Sequence, residues 1–178
     1  MIYSIRVMQI NFYPSWDKPE YEEAAKEYAK IWEEEGRRIT EAIEKVSRLK
    51  FREKVINAVT FGGISYSTPL RLQSNLSKED KKGTIVHELC HRLLVGNNIK
   101  LKGKITEKNF DLEAHRLVYL ILYEIWTELY DEEFAKKQVE LEKSISNDSK
   151  NAHWAAWDWA LSMTKEERQK EFRKYLKM

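Results

Sequence analysis

Apolar side chains recur every three or four residues over long parts of this chain, a spacing typical of helices that bury one face. The longest such stretch runs from Glu20 to about Leu49 and contains Gly36, so one long helix or two shorter ones are both expected. Further helices are predicted over Lys78–Val95 and Phe110–Lys143, and two shorter ones follow Ser144–Asn151. This pattern predicts a fold in which helices dominate.

Three short segments rich in Ile, Val, Tyr and Phe predict β-strands. They are Ile2–Phe12, Val55–Phe61 and Ile64–Leu72, and the last two lie on either side of Gly62-Gly63. We therefore expect an α+β fold with helices dominant. A length of 178 residues and a hydrophobic share of 42% predict one domain over residues 1–178.

The charge and cysteine content of the chain indicate which classes of partner and which cellular compartment to expect. The 31 Lys and Arg residues nearly balance the 29 Asp and Glu residues, which disfavours a nucleic-acid partner. The single cysteine, Cys90, fits a reducing compartment. The longest apolar run, Leu117–Tyr123, is too short for a membrane span, and the N-terminus does not resemble a signal peptide. We expect a cytoplasmic protein without a membrane partner.

The segment His87-Glu88-Leu89-Cys90-His91 carries the chemistry. Residues four apart lie on one face of a helix, so His87 and His91 can both direct a ring nitrogen at one metal ion. Glu88 lies beside these ligands, where its carboxylate can reach a water on the ion. Zinc lowers the pKa of a bound water to about 7, and such a carboxylate can move its proton. The motif predicts one zinc ion with Glu88 as the catalytic base.

A catalytic zinc site needs a third protein ligand. Only four histidines are present, and His115 follows His91 after a loop and the start of the next predicted helix. His115 is the first choice for the third ligand, and Glu113 or Asp111 are the alternatives because carboxylates also complete zinc sites.

Other side chains near these positions have several possible roles. Asp111 and Glu124 are candidates for orienting a metal-bound histidine. Tyr119 is expected to lie in the core, and Cys90 to be a small buried apolar side chain. His153 is a weaker candidate ligand because it follows the break after Ser144.

The motif resembles that of the zincin metallopeptidases, in which HExxH supplies two zinc ligands and the general base. The run Thr-Ile-Val-His-Glu-Leu-Cys-His-Arg-Leu-Leu and the later His115 to Glu-Ile-Trp segment are similar to small phage or prokaryotic metallopeptidases. Minimal gluzincins and SprT-like proteins are the nearest named comparisons. Leu94 stands where metzincins have glycine, and the segment that carries the third ligand in thermolysin is missing.

The resemblance implies a zinc-dependent metallopeptidase that acts on a peptide or protein substrate. Residues 1–145 would form the catalytic core, with a short sheet packed on the motif helix and a long ligand-bearing helix, and residues 146–178 would form C-terminal helices packing on it. Similarity to minimal gluzincins implies Glu113 as the third ligand, whereas similarity to SprT-like proteins implies His115. An edge strand, Val55–Phe61 or Ile64–Leu72, would align the substrate.

Two other functions remain open. The first is a non-catalytic binding protein stabilised by zinc, in which a fourth protein ligand such as Cys90 or Glu113 would close the metal site. The second is a latent protease whose C-terminal helices occlude the cleft. The oligomeric state and the cleavage specificity are not determined by the sequence.

Overall fold

The structure is a computed structural model that describes residues 8–144 and 152–177. It divides into two compact units, Met1–Asn97 (unit 1) and Asn98–Met178 (unit 2). Unit 1 contains, in chain order, β1 (Gln9–Pro14), α1 (Pro19–Ser47), β2 (Val55–Phe61), β3 (Leu70–Gln73) and α2 (Lys78–Gly96). Unit 2 contains α3 (Phe110–Leu129), α4 (Glu132–Ser144), α5 (Ala152–Leu161) and α6 (Lys165–Tyr175).

Unit 1 is built on a three-stranded parallel sheet in the order β1-β2-β3. Gln9 pairs with Val55 at one end of the β1–β2 ladder, and Ala58 pairs with Leu70 at the start of the β2–β3 ladder. Helix α1 connects β1 to β2 and packs on both strands, while α2 packs on α1 and β3. The core between these elements is apolar and includes Ile10, Tyr28, Ile31, Ile39, Ile43, Ile56, Leu70, Leu72, Ile85 and Leu89.

Helix α1 runs without interruption through Gly36. A side chain at this position would meet the Trp32 ring at 2.7 Å, so glycine leaves the space that the ring fills. The Trp32 indole nitrogen also donates a hydrogen bond to the Met8 carbonyl oxygen at 3.1 Å, which joins α1 to the start of the sheet. Packing therefore decides between the one long helix and the two shorter ones that the sequence allowed.

Unit 2 is organised around α3, against which α4, α5 and α6 all pack. Its largest fully buried side chains are Tyr119, Trp126 and Trp157. The predicted continuous helix over residues 110–143 is wrong, because the chain leaves helical geometry at Tyr130 (φ −126°, ψ −82°). Asp131 starts a new helix there, since its carboxylate accepts a hydrogen bond from the Phe134 N–H at 2.7 Å.

The α+β class with helices dominant is confirmed. The predicted strand Ile64–Leu72 is shorter than expected, since β3 contains only its last three residues and then Gln73. Most of the predicted strand Ile2–Phe12 and of the break Ser144–Asn151 lies outside the described residues.

The predicted single domain, with its division at residue 145, stays a prediction. That division falls inside unit 2, where α5 and α6 pack on α3. None of the helices within residues 8–144 and 152–177 combines the length and the apolar character that a membrane crossing requires.

Candidate metal site

Helix α2 is held in place at its start by a capping hydrogen bond. The Ser77 hydroxyl accepts a hydrogen bond from the Asp80 N–H at 3.1 Å, and Glu79 and Asp80 lie in the first turn, where acidic side chains are favourable. The buried face of the helix includes Ile85, Leu89 and Cys90, which are fully buried. Cys90 is buried, as expected. This anchored helix carries the motif.

The two motif histidines converge, as their spacing predicts. The Nε2 atoms of His87 and His91 lie 3.0 Å apart, and the rings stack at 4.9 Å with an angle of 21°. Two nitrogen ligands on a tetrahedral zinc ion at about 2.0–2.1 Å are about 3.3 Å apart, close to this separation. A hydrogen bond between the rings also accounts for 3.0 Å when one Nε2 carries the proton. The two Nε2 atoms are therefore suited, in their separation and their chemistry, to bind one zinc ion.

Glu88 is buried beside these histidines, with 6% of its surface exposed. Its influence is visible at Tyr28, a fully buried phenol whose pKa is raised first by burial and then by the negative charge of Glu88. The Tyr28 hydroxyl donates a hydrogen bond to the Gln73 carbonyl oxygen at 3.0 Å. Tyr28 therefore stays neutral at physiological pH, and Glu88 lies in a site where burial strengthens its electrostatic interactions.

The candidates for the third ligand lie in the first two turns of α3, in unit 2. The His115 Nδ1 lies 2.8 Å from the Asp111 carbonyl oxygen and 3.2 Å from its carboxylate. Glu113 instead accepts a hydrogen bond from Arg116 at 2.8 Å. Asp111 thus contacts the His115 Nδ1 through its carbonyl and its carboxylate, and its role in orienting a metal-bound histidine stays a prediction.

A further histidine, His153 in the first turn of α5, lies beside His115. The two ring centroids are 4.0 Å apart, and the Tyr119 hydroxyl lies 2.5 Å from the His153 Nδ1. Tyr119 is buried, as expected, and stacks on Trp157 at 3.8 Å. In the sequence His153 is the weaker candidate because it follows the break after Ser144, and no periodic spacing relates a residue of α5 to one of α3.

Two sequence-based expectations about the site are wrong. Glu124 does not orient a histidine, because its buried carboxylate pairs with Arg168 at 2.5 Å and Lys165 at 3.1 Å. The predicted substrate strand Val55–Phe61 is the central strand of the sheet. Strand β1 pairs with one of its edges, and β3 pairs with the other over residues 58–61.

Strand β3 lies at the edge of the sheet, but groups from unit 1 already bind it. The backbone N–H and carbonyl of Arg71 both bond to Tyr66. The Gln73 N–H donates to the Ser65 hydroxyl at 2.8 Å, and the Gln73 carbonyl accepts from Tyr28. The predicted alignment of a peptide along Ile64–Leu72 is therefore not supported at Arg71, where a peptide would have to displace Tyr66.

Comparison with family models, curated proteins and solved structures finds no match for this chain. The candidate site therefore stands on the motif and on the geometry of the described residues.

Proposed function

We propose that this chain is a zinc-dependent metallopeptidase that hydrolyses peptide bonds in a peptide or protein substrate. The single observation that carries the proposal is the convergence of the His87 and His91 Nε2 atoms at 3.0 Å on a helix that also holds Glu88. We place its action in the cytoplasm because the one cysteine, Cys90, is free and buried, which fits a reducing compartment.

The roles of the residues follow from their chemistry. His87 and His91 would hold one zinc ion, with His115 predicted from the sequence as the third ligand and Glu113 or Asp111 as the alternatives. When bound, zinc would supply Lewis acidity, which polarises a scissile carbonyl and makes a water molecule more acidic. Glu88 would take the proton from the attacking water and then deliver it to the leaving amine.

Burial supports the role of Glu88. Glu88 is 6% exposed, so little bulk water reaches its carboxylate. Burial of the phenol raises the pKa of Tyr28, and the negative charge of Glu88 raises it further. The same shielding would strengthen its interaction with a water molecule at the histidine pair.

The decisive experiment compares Glu88→Gln with the wild-type chain on a peptide library. We expect Glu88→Gln to keep its zinc and to lose about 10²–10⁴-fold in hydrolysis, the range that a positioned general base contributes. Glu79→Gln is the matched control, since Glu79 lies on the same helix but is exposed. It should retain full activity.

Other outcomes separate the alternative functions. Hydrolysis that persists in Glu88→Gln removes Glu88 from the role of base. Zinc bound by wild-type protein without hydrolysis of any peptide would instead favour the zinc-stabilised binding protein. Zinc content that is equal in His153→Ala and in His87→Ala/His91→Ala/His153→Ala would contradict the proposed metal site, because the triple variant keeps only His115.

A further inference from the structure

Four polar side chains meet where α3 and α5 begin, within unit 2. Asp111, His115 and Tyr119 are spaced four residues apart on α3, so they lie along one face of this helix. His153 from α5 packs against them, with its ring centroid 4.0 Å from that of His115. One ligand atom from each of Asp111, His115 and His153 lies within 4.8 Å of the others.

Hydrogen bonds orient both imidazole rings. The Asp111 carbonyl oxygen can only accept a hydrogen bond, so the His115 Nδ1 at 2.8 Å is the donor and the His115 lone pair is on Nε2. The His153 Nδ1 is engaged by the Tyr119 hydroxyl at 2.5 Å. Metal-binding histidines are commonly oriented in this way, with one nitrogen bonded to an oxygen of the protein and the other bound to the ion.

Packing keeps this arrangement rigid on one side and accessible on the other. Tyr119 and Trp157 are both fully buried and stack at 3.8 Å, which fixes the hydroxyl that contacts His153. His115 is buried, whereas the Asp111 side chain is 64% exposed. An ion could therefore enter from solvent past the carboxylate and meet two oriented imidazoles.

We propose that Asp111, His115 and His153 form a second metal site, which binds one zinc ion and is contained in unit 2. Two imidazoles and one carboxylate are a ligand set that zinc accepts, and three protein ligands leave a fourth position for solvent. Tyr119 is a positioning residue that acts through His153. A bound ion would join the start of α5 to the start of α3.

This site goes beyond the proposed function and does not depend on it. Both proposals name His115 and Asp111, so an ion at the second site would leave Glu113 as the third ligand at His87 and His91. An imidazole whose Nδ1 donates to a carbonyl has one lone pair, so His115 can bind only one ion at a time. The chain contains four histidines, and replacing His87 and His91 leaves only His115 and His153. The variant His87→Ala/His91→Ala therefore isolates the second site.

The experiment titrates Co²⁺ into the untagged full-length variant His87→Ala/His91→Ala, followed by visible absorption, and then displaces Co²⁺ with Zn²⁺. We expect about one Co²⁺ per chain, with the absorption bands of a four-coordinate ion and stronger binding of Zn²⁺. Adding His153→Ala to this variant should abolish binding. Adding Tyr119→Phe should weaken it about tenfold, because an orienting hydrogen bond is lost.

Control variants distinguish a failure of the second site from a failure of the proposed function. No Co²⁺ binding by folded His87→Ala/His91→Ala, or binding that is unchanged by His153→Ala, would overturn the second site. His87→Gln/His91→Gln provides the same test should the alanine variant fail to fold. The single variant His153→Ala keeps His87, His91 and His115, so loss of all zinc there would contradict the proposed function and leave the second site standing.

Discussion

At the scale of single residues, short distances decide which side chains are tolerated. Gly36 illustrates this on the buried face of α1, where the Trp32 ring occupies the space that a Cβ atom would need. The ring cannot easily move away, because Trp32 is buried and its indole N–H is bonded to the Met8 carbonyl. A glycine that weakens helix propensity is thus required by packing.

We expect Gly36→Ala to lower the free energy of unfolding by about 1–3 kcal/mol, the usual cost of forcing atoms into a packed core. Gly96→Ala is the matched control, since Gly96 also lies in a helix and no atom lies within 4 Å of the added Cβ. It should leave stability unchanged or raise it by up to about 1 kcal/mol. Urea unfolding followed by circular dichroism measures both, and equal effects would contradict the packing argument.

At the scale of helices and strands, the sequence signals differ in how well they predict the structure. Ser77 caps α2, and Thr164 and Glu167 form a capping box at the start of α6. Such caps can be read from the sequence because they depend on residues only three apart. The break between α3 and α4 was missed, because Asp131 stands in a stretch whose apolar spacing continues through it. The parallel pairing of β2 with β3 is likewise set by tertiary contacts.

Replacement of the cap of α2 tests its contribution to the metal-binding helix. Ser77→Ala removes the acceptor for the Asp80 N–H, and we expect stability to fall by about 1 kcal/mol. Ser77→Thr keeps a hydroxyl and should lose less. Zinc affinity should not change in either variant, because His87 lies more than two turns beyond the cap. A large loss of zinc affinity in Ser77→Ala would show that the whole helix depends on its cap.

The buried ion pair between α3 and α6 can be tested by two substitutions with different expected costs. Arg168 pairs with Glu124, and both side chains are less than a tenth exposed. We expect Arg168→Ala to cost about 3 kcal/mol, because it leaves a buried carboxylate with weaker compensation. Lys165→Ala removes the other partner of the same carboxylate, but Lys165 is 57% exposed and should cost less than about 1 kcal/mol. Thermal unfolding of the two variants measures both losses of stability. Similar losses in Arg168→Ala and Lys165→Ala would contradict the prediction that the buried pair matters more.

At the scale of the whole molecule, metal binding and stability are linked. An ion that binds only the folded chain stabilises it by an amount that grows with its free concentration. The two proposed ligand sets contain all four histidines, so zinc should act on the stability of the chain as a whole.

We expect zinc at about 100 times its dissociation constant to stabilise the wild-type chain by about 2.7 kcal/mol, and a chelator to reverse the effect. The variant His87→Ala/His91→Ala/His153→Ala keeps only His115 and should not respond. Differential scanning calorimetry with and without zinc measures the shift. An equal shift in both proteins would indicate non-specific binding.

The sequence by itself determined the features that depend on local spacing. These are the helix-dominated α+β class, the start of α2 at Ser77, and the convergence of His87 and His91, since residues four apart on a helix must share a face. Tertiary structure alone decided which strand of the sheet is central and how Glu124 is paired. It also brought His153 to His115, because packing between helices distant in sequence leaves no periodic signal in the chain.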